Sequence, residues 1–160
     1  MNETVTNSNF RVVKIEMEMT IKASPKAVYN AVVHDLDAWW PHRFRPDSTL
    51  VVDARPGGTI EERFAAGGGA ILGTIMMMDP GKKFSGSSPS ALNRSFYSFN
   101  DESFEPQAEG CLYKKSLTLF GDISEQTEAM FRDGARALIE QGLVNYLEKG
   151  IGYTKPGGQS

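Results

Sequence analysis

The sequence predicts an α+β domain in which a curved antiparallel β-sheet packs against one long C-terminal helix. Three observations predict this fold class: a strand with strict apolar alternation near the N-terminus, several short strands separated by glycine and proline turns, and a long amphipathic segment near the C-terminus. The chain has 160 residues, a length that favours one domain with its own hydrophobic core. We expect this domain to span residues 10–152, with flexible segments at 1–9 and 153–160.

Composition and charge disfavour several classes of protein. Lysine and arginine total 17 residues against 20 for aspartate and glutamate, and the resulting net charge of −3 argues against a nucleic-acid partner. Cys111 is the only cysteine, so neither an intrachain disulfide nor a four-cysteine zinc site can form. No apolar run approaches the roughly 18 residues of a membrane span, and the polar start lacks an apolar signal segment. We therefore expect a soluble cytoplasmic protein with no metal and no cofactor.

The predicted domain begins with one strand and two short helices. From 13 to 21 the odd-numbered residues are apolar and the even-numbered residues are polar, as in a strand with one buried face. Ser24 can cap the helix that follows, and Pro25 suits its first position. A second helical turn can begin at Asp35 and must end by Pro41, because proline and the residue before it disfavour a continuing helix.

That second turn carries Trp39 and Trp40, the only two tryptophans in the chain. Neighbouring side chains on a helix point about 100° apart, so the two indoles cannot fill the same hole. One of them must therefore face something other than the core, and a pocket is the expected candidate.

The middle of the chain reads as a series of antiparallel strands. Glycine and proline residues at the corners separate them, as in a β-meander. We expect strands at 50–53, 59–65, 70–79, 94–104 and 112–120, with a loop at 85–93. The strand at 70–79 is apolar on both faces, which fits either a central strand covered on both sides or a methionine-rich cavity wall with a dimer surface behind it.

The closing helix is expected to run to about residue 149, with Asp122 or Ser124 as its N-cap and Gly150 as its stop. Gly134 and Gly142 lie on or near its apolar face, although glycine inside a helix costs about 1 kcal/mol relative to alanine. They either allow close packing of the helix on the sheet or leave volume for a ligand. Asn145, on the same side, either bonds to internal backbone or meets a polar ligand atom, and we hypothesise the second.

Several segments, taken in order, resemble the START-like or SRPBCC superfamily, over roughly residues 12–150. The segments are ASPKAVYNAV, DLDAWWP, DARPGGTIEERF, ILGTIMMMDPGKKF and RDGARALIEQGLVNYLEKG. The polyketide-cyclase-like and heat-shock-chaperone ATPase-activator-like branches are the most similar. The resemblance implies a helix-grip fold and a deep cavity, between the sheet and the C-terminal helix, that binds a lipid-like, aromatic or polyketide-like molecule.

The resemblance places the tryptophan segment at the open end of that cavity, with Trp39 expected to anchor it and Trp40 to wall the mouth. Predicted ligand contacts are the aromatic, apolar and helix residues that could face the cavity. These are Trp39, Trp40, Phe64, Ile75, Met77, Tyr97, Phe99, Tyr113, Leu138, Gly142, Asn145 and Tyr146.

Catalysis is an alternative, because some members of the superfamily are cyclases or hydrolases. The alternation of Ile60, Glu62 and Phe64 makes Glu62 an inward candidate for a general acid or base, although a solvated edge position is the better expectation. His42 is the second candidate. The chain lacks the P-loop, the dinucleotide-binding loop and the GxSxG nucleophile motif. A co-chaperone-like interaction domain is a further alternative, and a homodimer is a further option for the assembly.

Overall fold

The computed structural model describes residues 1–4, 9–88, 91 and 95–157. Its strands are β1 (Phe10–Ile21), β2 (Thr49–Val52), β3 (Thr59–Arg63), β4 (Gly69–Asp79), β5 (Lys83–Ser87), β6 (Phe96–Gln107) and β7 (Gly110–Asp122). Its helices are α1 (Pro25–Val33), α2 (Leu36–Trp39), α3 (Glu125–Ala137) and α4 (Val144–Lys149), with a π-helical segment, Leu138–Leu143, between the last two. The α+β helix-grip fold expected from the sequence is confirmed.

The strands form one antiparallel sheet in the order β1-β7-β6-β5-β4-β3-β2. Chain neighbours pair throughout, except that β1 joins the far edge beside β7. The 12-residue β1 presents its odd-numbered, apolar residues to the helices, as its alternation predicts. No helix in the described part of the chain is long and apolar enough to span a membrane.

One strand was not expected from the sequence. β5 covers Lys83–Ser87, where the sequence suggested that a loop begins at residue 85. Its residues, KFSGS, have little strand propensity, and pairing with β4 and β6 on both sides determines their conformation. The rest of that expected loop lies partly outside the described residues, at 89–90 and 92–93, as does Arg94 at the start of the strand expected at 94–104.

The closing helix is capped by Ser124, whose hydroxyl accepts a hydrogen bond from the Thr127 N–H at 3.1 Å. It is α-helical to Ala137, widens into the π-helical segment, and returns to α-helix before it ends at Gly150. Gly150 adopts a left-handed φ of 67°, which favours glycine over other residues. The uninterrupted α-helix expected from the sequence is therefore two α-helices joined by a wider turn.

The end of the described chain packs against α2 and the loop that follows it. The backbone N–H of Tyr153 donates to the Ala38 carbonyl at 2.7 Å, and the Tyr153 hydroxyl donates to the Pro46 carbonyl at 2.9 Å. The ammonium of Lys155 lies 3.2 Å from a carboxylate oxygen of Asp37. These contacts join Tyr153 and Lys155 to α2 and the loop that follows it. Residues 5–8 and 158–160 of the two expected flexible segments lie outside the described residues.

Candidate ligand-binding site

The strand register decides which residues face the helices. Met17 lies opposite Lys115 on β7, and Lys115 lies opposite Glu102 on β6. Two residues further along, Tyr113 pairs with Phe104, and both are buried in the core beneath α1. Residues two apart on a strand share a face, so Lys115 and Glu102 lie on the same side of the sheet as this core. We call this side the inner face.

α3 crosses the inner face without packing closely on its centre. None of the residues of α3 is buried, and Phe131 contacts a small cluster at the β1–β7 end of the sheet. Gly134, which follows on the same side of the helix, is partly buried, and a Cβ built there meets nothing within 4 Å apart from its chain neighbours and its own helix backbone. One turn later, Leu138 is buried in the main core. The closing helix therefore packs against the core at Phe131 and at Leu138, with open space at Gly134 between these two positions.

Several inward-facing sheet residues in this region are only partly buried, and those on β6 and β7 are so although neighbouring strands flank them on both sides. They include the apolar side chains of Met17, which packs against both core clusters, and Leu117, which packs against the smaller one, and the polar side chain of Asn100. Half-burial of inward-facing residues in the middle of a sheet is unusual in a close-packed interior. It gives the inner face an apolar area with a polar group beside it.

The polar group is a hydrogen-bonded cluster centred on Glu102, which we call the Glu102 cluster. One carboxylate oxygen, Oε1, accepts from Lys115 Nζ at 2.6 Å and from Asn100 Nδ2 at 2.6 Å. The other oxygen, Oε2, accepts from the Tyr113 hydroxyl at 2.8 Å. Both charged side chains are largely removed from solvent. A buried charge requires such compensation, since an unpaired one is strongly destabilising.

Tyr113 acts in this cluster as a hydrogen-bond donor. Complete burial, followed by the neighbouring charge of Glu102 and the hydrogen bond to it, raises the pKa of Tyr113 well above its usual value of 10.0. The phenol therefore stays protonated at neutral pH and keeps donating to the carboxylate. The sequence identified Tyr113 as a cavity residue, but it did not indicate Asn100 or Glu102.

Trp39 lies in the core and fits against the closing helix. Its side chain is 5% exposed, and its indole N–H donates to the Ala31 carbonyl at 2.7 Å. A Cβ built at Gly142 would lie 3.1 Å from Trp39 Cε3, so this glycine makes room for the indole. Gly142 therefore serves close packing, whereas the space at Gly134 is open.

The two glycines should respond in opposite ways to alanine. Gly134→Ala adds a methyl group in open space and should stabilise the protein by about 0.5–1 kcal/mol through helix propensity. Gly142→Ala crowds an indole fixed by its own hydrogen bond and should cost about 1 kcal/mol or more. Urea denaturation of both variants measures the difference. An equal gain in stability for both would contradict the close packing assigned to Gly142.

Trp40 is half-buried beside Trp39, with ring centroids 5.6 Å apart. Its indole N–H donates to the His42 carbonyl at 2.8 Å, and the His42 ring lies 6.3 Å away. His42 itself is exposed. The pair thus divides into one core indole and one indole that is partly open to the loop after α2.

Glu62 lies on the inner face and is fully buried, with 0% of its surface exposed. The solvated edge position favoured by the sequence is therefore not where the structure places it. Its carboxylate oxygens accept from the backbone N–H groups of Phe44 and Arg45 at 2.9 and 2.8 Å. Burial alone would raise the pKa of Glu62, but these hydrogen bonds and the nearby charge of Arg43 hold it below its usual value. Glu62 is thus an ionised anchor for the 43–48 loop, three strands away from Glu102.

The same loop contains a buried arginine. The Arg43 side chain is 1% exposed and lies 2.6 Å from an Asp37 carboxylate oxygen. It also donates to the Ser48 and Trp40 carbonyls and stacks over the Tyr153 ring at 4.1 Å. Burial opposes ionisation of Asp37, but the Leu50 N–H and the charge of Arg43 outweigh it and lower the Asp37 pKa.

Four other predicted contacts lie on the helix side of the molecule or at its edge. Ile75 is fully buried in the core, and Phe64 is half-buried with the Arg45 guanidinium 5.5 Å from its ring centre. Tyr146 packs on the core, and its pKa is raised by burial and by Asp35. Asn145 donates to the Gln141 carbonyl at 2.8 Å, which is the backbone alternative considered for it.

Three predicted contacts lie on the outer face instead. Met77 is 41% exposed, because a β-bulge between Ile75 and Met77 reverses the alternation of β4. Tyr97 and Phe99 are 52% and 43% exposed, since the even-numbered residues of β6 face inward. Both rings stack on Phe120 of the next strand, at 5.7 and 5.6 Å. Their apolar character reflects this exposed aromatic patch.

The described residues contain no group of three or more histidine, cysteine, aspartate or glutamate side chains placed to hold a metal ion. Cys111 is buried, and burial raises the pKa of its thiol. It therefore behaves as a small core residue.

Comparison with known proteins shows the fold. No protein-family model and no curated protein matches the sequence. The solution structure of the Aha1 dimer from Colwellia psychrerythraea is 23% identical, with a TM-score of 0.62 over 88% of this chain and 99% of that one. Ara h 8.0201 is 14% identical, with a TM-score of 0.65 over 87% and 99% of the two chains. A protein from Rhizobium leguminosarum is 16% identical, with a TM-score of 0.66 over 90% and 99%. This chain is similar to all three in its helix-grip fold.

Proposed function

We propose that the protein binds a hydrophobic small molecule, which is lipid-like, aromatic or polyketide-like, between the inner face and α3. The observation that carries the proposal is the open space at Gly134, which lies between the packed positions Phe131 and Leu138. Glycine lowers the stability of a helix interior, so an inward glycine that no neighbour requires suits a site that needs volume. Met17 and Leu117, which pack against the same cluster as Phe131, supply an apolar surface on the sheet.

The surroundings of this space support the same function. Ligand sites are usually concave, mainly apolar, and equipped with a small number of polar groups that fix orientation. The inner face combines Met17, Leu117 and Phe96 with the single Glu102 cluster. Methionine adds adaptability, because its unbranched side chain adjusts to ligands of different shape.

Filling the space should block binding. The variant Gly134→Leu places a side chain between α3 and the sheet, and we expect it to weaken binding of the neutral fluorescent probe N-phenyl-1-naphthylamine at least tenfold. Thermal unfolding should show no loss of stability, because leucine is a better helix former than glycine by about 1 kcal/mol. Fluorescence titration of the wild type and the variant measures the effect.

Asp133→Leu is the matched control, since Asp133 is exposed and neighbouring side chains on a helix point about 100° apart. It adds the same side chain without entering the space at Gly134, so the probe should bind it as tightly as the wild type. Equal affinity of the probe for Gly134→Leu and the wild type would contradict the proposed site.

A further inference from the structure

The Glu102 cluster contains a buried hydrogen-bond acceptor without a donor. Asn100 uses its Nδ2 group on Glu102, which directs its carbonyl oxygen, Oδ1, away from the carboxylate. Among the residues that the structure describes, nothing donates to Oδ1, and the atom is removed from solvent. Buried polar atoms are nearly always paired, so we expect this acceptor to have a partner other than the described residues.

Lys115 supplies the complementary group beside it. An ammonium carries three N–H donors, and the described contacts of Lys115 use one of them, on Glu102 Oε1. Asn100 and Lys115 both bond to that same oxygen atom, so their two side chains lie beside each other. A ligand group placed there can accept one hydrogen bond and donate another.

The charges of the cluster select the kind of group. Lys115 and Glu102 form a pair with no net charge, and an anionic ligand would meet the Glu102 carboxylate at short range. A cation would meet Lys115 in the same way. A neutral group that both donates and accepts fits both partners, and a hydroxyl is the simplest group that does so.

We infer that the ligand of the inner face is a hydroxylated apolar molecule, whose hydroxyl donates to Asn100 Oδ1 and accepts from Lys115 Nζ. The inference rests on the proposed function and specifies the class of ligand for that site. The apolar body of the ligand would then lie on Met17 and Leu117, beneath Gly134.

Three naphthalene derivatives test it by displacement of N-phenyl-1-naphthylamine from the wild-type protein. The hydroxyl of 2-naphthol both donates and accepts, 2-methoxynaphthalene only accepts, and 2-methylnaphthalene does neither. We expect 2-naphthol to bind at least tenfold more tightly than either analogue, because only it can donate to Asn100. This series requires no variant, so it tests the inference even if a substitution in the cluster prevents folding.

Asn100→Leu should reduce the preference for 2-naphthol to within about twofold while the displaced probe still binds. Asp101→Leu, on the outer face of the same strand, is the control and should leave the preference unchanged. Equal affinity of all three compounds, or a preference that survives Asn100→Leu, would overturn the inference, and a water molecule would then be the partner of Oδ1. If the probe binds and the series shows no preference, the result contradicts only the inference that the ligand carries a hydroxyl, and the proposed function stands. If the probe does not bind at all, the proposed function fails as well.

Discussion

Glu62→Gln should destabilise the protein by about 2–4 kcal/mol, although the substitution preserves the shape of the side chain. The carboxylate accepts two backbone N–H groups of the 43–48 loop in a fully buried position. A glutamine can accept only one of them, and its amide N–H₂ group faces the other donor. A buried unsatisfied donor costs about 1–3 kcal/mol, and the charge-assisted character of the remaining bond is lost as well. Urea denaturation at pH 7 measures the change.

The difference in stability between the wild type and Glu62→Gln should become smaller at acidic pH. The folded pKa of Glu62 lies below its unfolded value, so its contribution is fully present above the unfolded pKa of about 4.3 and is lost as pH falls through the folded pKa. The free-energy gap between the wild type and Glu62→Gln should therefore narrow below about pH 4. Glu61→Gln is the matched control, because Glu61 faces the opposite side of β3, and it should change stability by less than about 0.5 kcal/mol. A gap of constant size down to acidic pH would contradict the anchoring role.

Alanine substitutions of the two tryptophans should have different effects: Trp39→Ala should mainly lower stability, and Trp40→Ala should mainly change ligand entry. Trp39→Ala removes a core indole that packs on Gly142 and should cost about 3–5 kcal/mol. Trp40→Ala removes a half-buried indole and should cost clearly less. We propose that Trp40 walls the entrance to the inner face, so Trp40→Ala should change the association rate of N-phenyl-1-naphthylamine more than it changes stability.

Stopped-flow fluorescence and urea denaturation of both variants test this division. Trp40→Phe is the control, since it keeps an aromatic wall while it removes the hydrogen bond to the His42 carbonyl. Comparable losses of stability in both alanine variants, with no change in association rate, would show that the pair is purely structural.

The elements predicted best from the sequence are those in which burial of one face determines the pattern of apolar residues. In β1 every odd-numbered residue from Val13 to Ile21 is apolar, so a shift of one residue would expose the whole row. β5 has no such pattern, because its conformation depends on pairing with strands on both sides. The bulge that turns Met77 outward arises in the same way, from pairing between strands.

The candidate site was harder to predict because polar residues in a strand usually indicate the solvent-exposed face, whereas those of this site face inward. β6 alternates Tyr97 and Phe99 with polar residues, and its aromatic rings suggested the inward face. The register with β7 instead turns Asn100 and Glu102 inward. One signal was available: alternation counted back from the apolar Phe104 places Glu102 and Asn100 on its face. The sequence alone does not show that Lys115 pairs with Glu102. Without that partner, the alternation predicts an unpaired buried glutamate, which is energetically unfavourable, so a solvent-exposed position is the preferred interpretation.

Methionine methyl NMR tests the central claim most directly. The protein labelled with ¹³C-methyl methionine reports both faces of the sheet, since Met17 lies on the inner face and Met76 and Met77 are exposed on the outer side. On titration with N-phenyl-1-naphthylamine, we expect the Met17 methyl signal to shift and to show intermolecular NOEs to the probe, while the signals of Met76 and Met77 stay in place. NOEs from the probe to Met76 or Met77, with Met17 unaffected, would contradict binding between the inner face and α3.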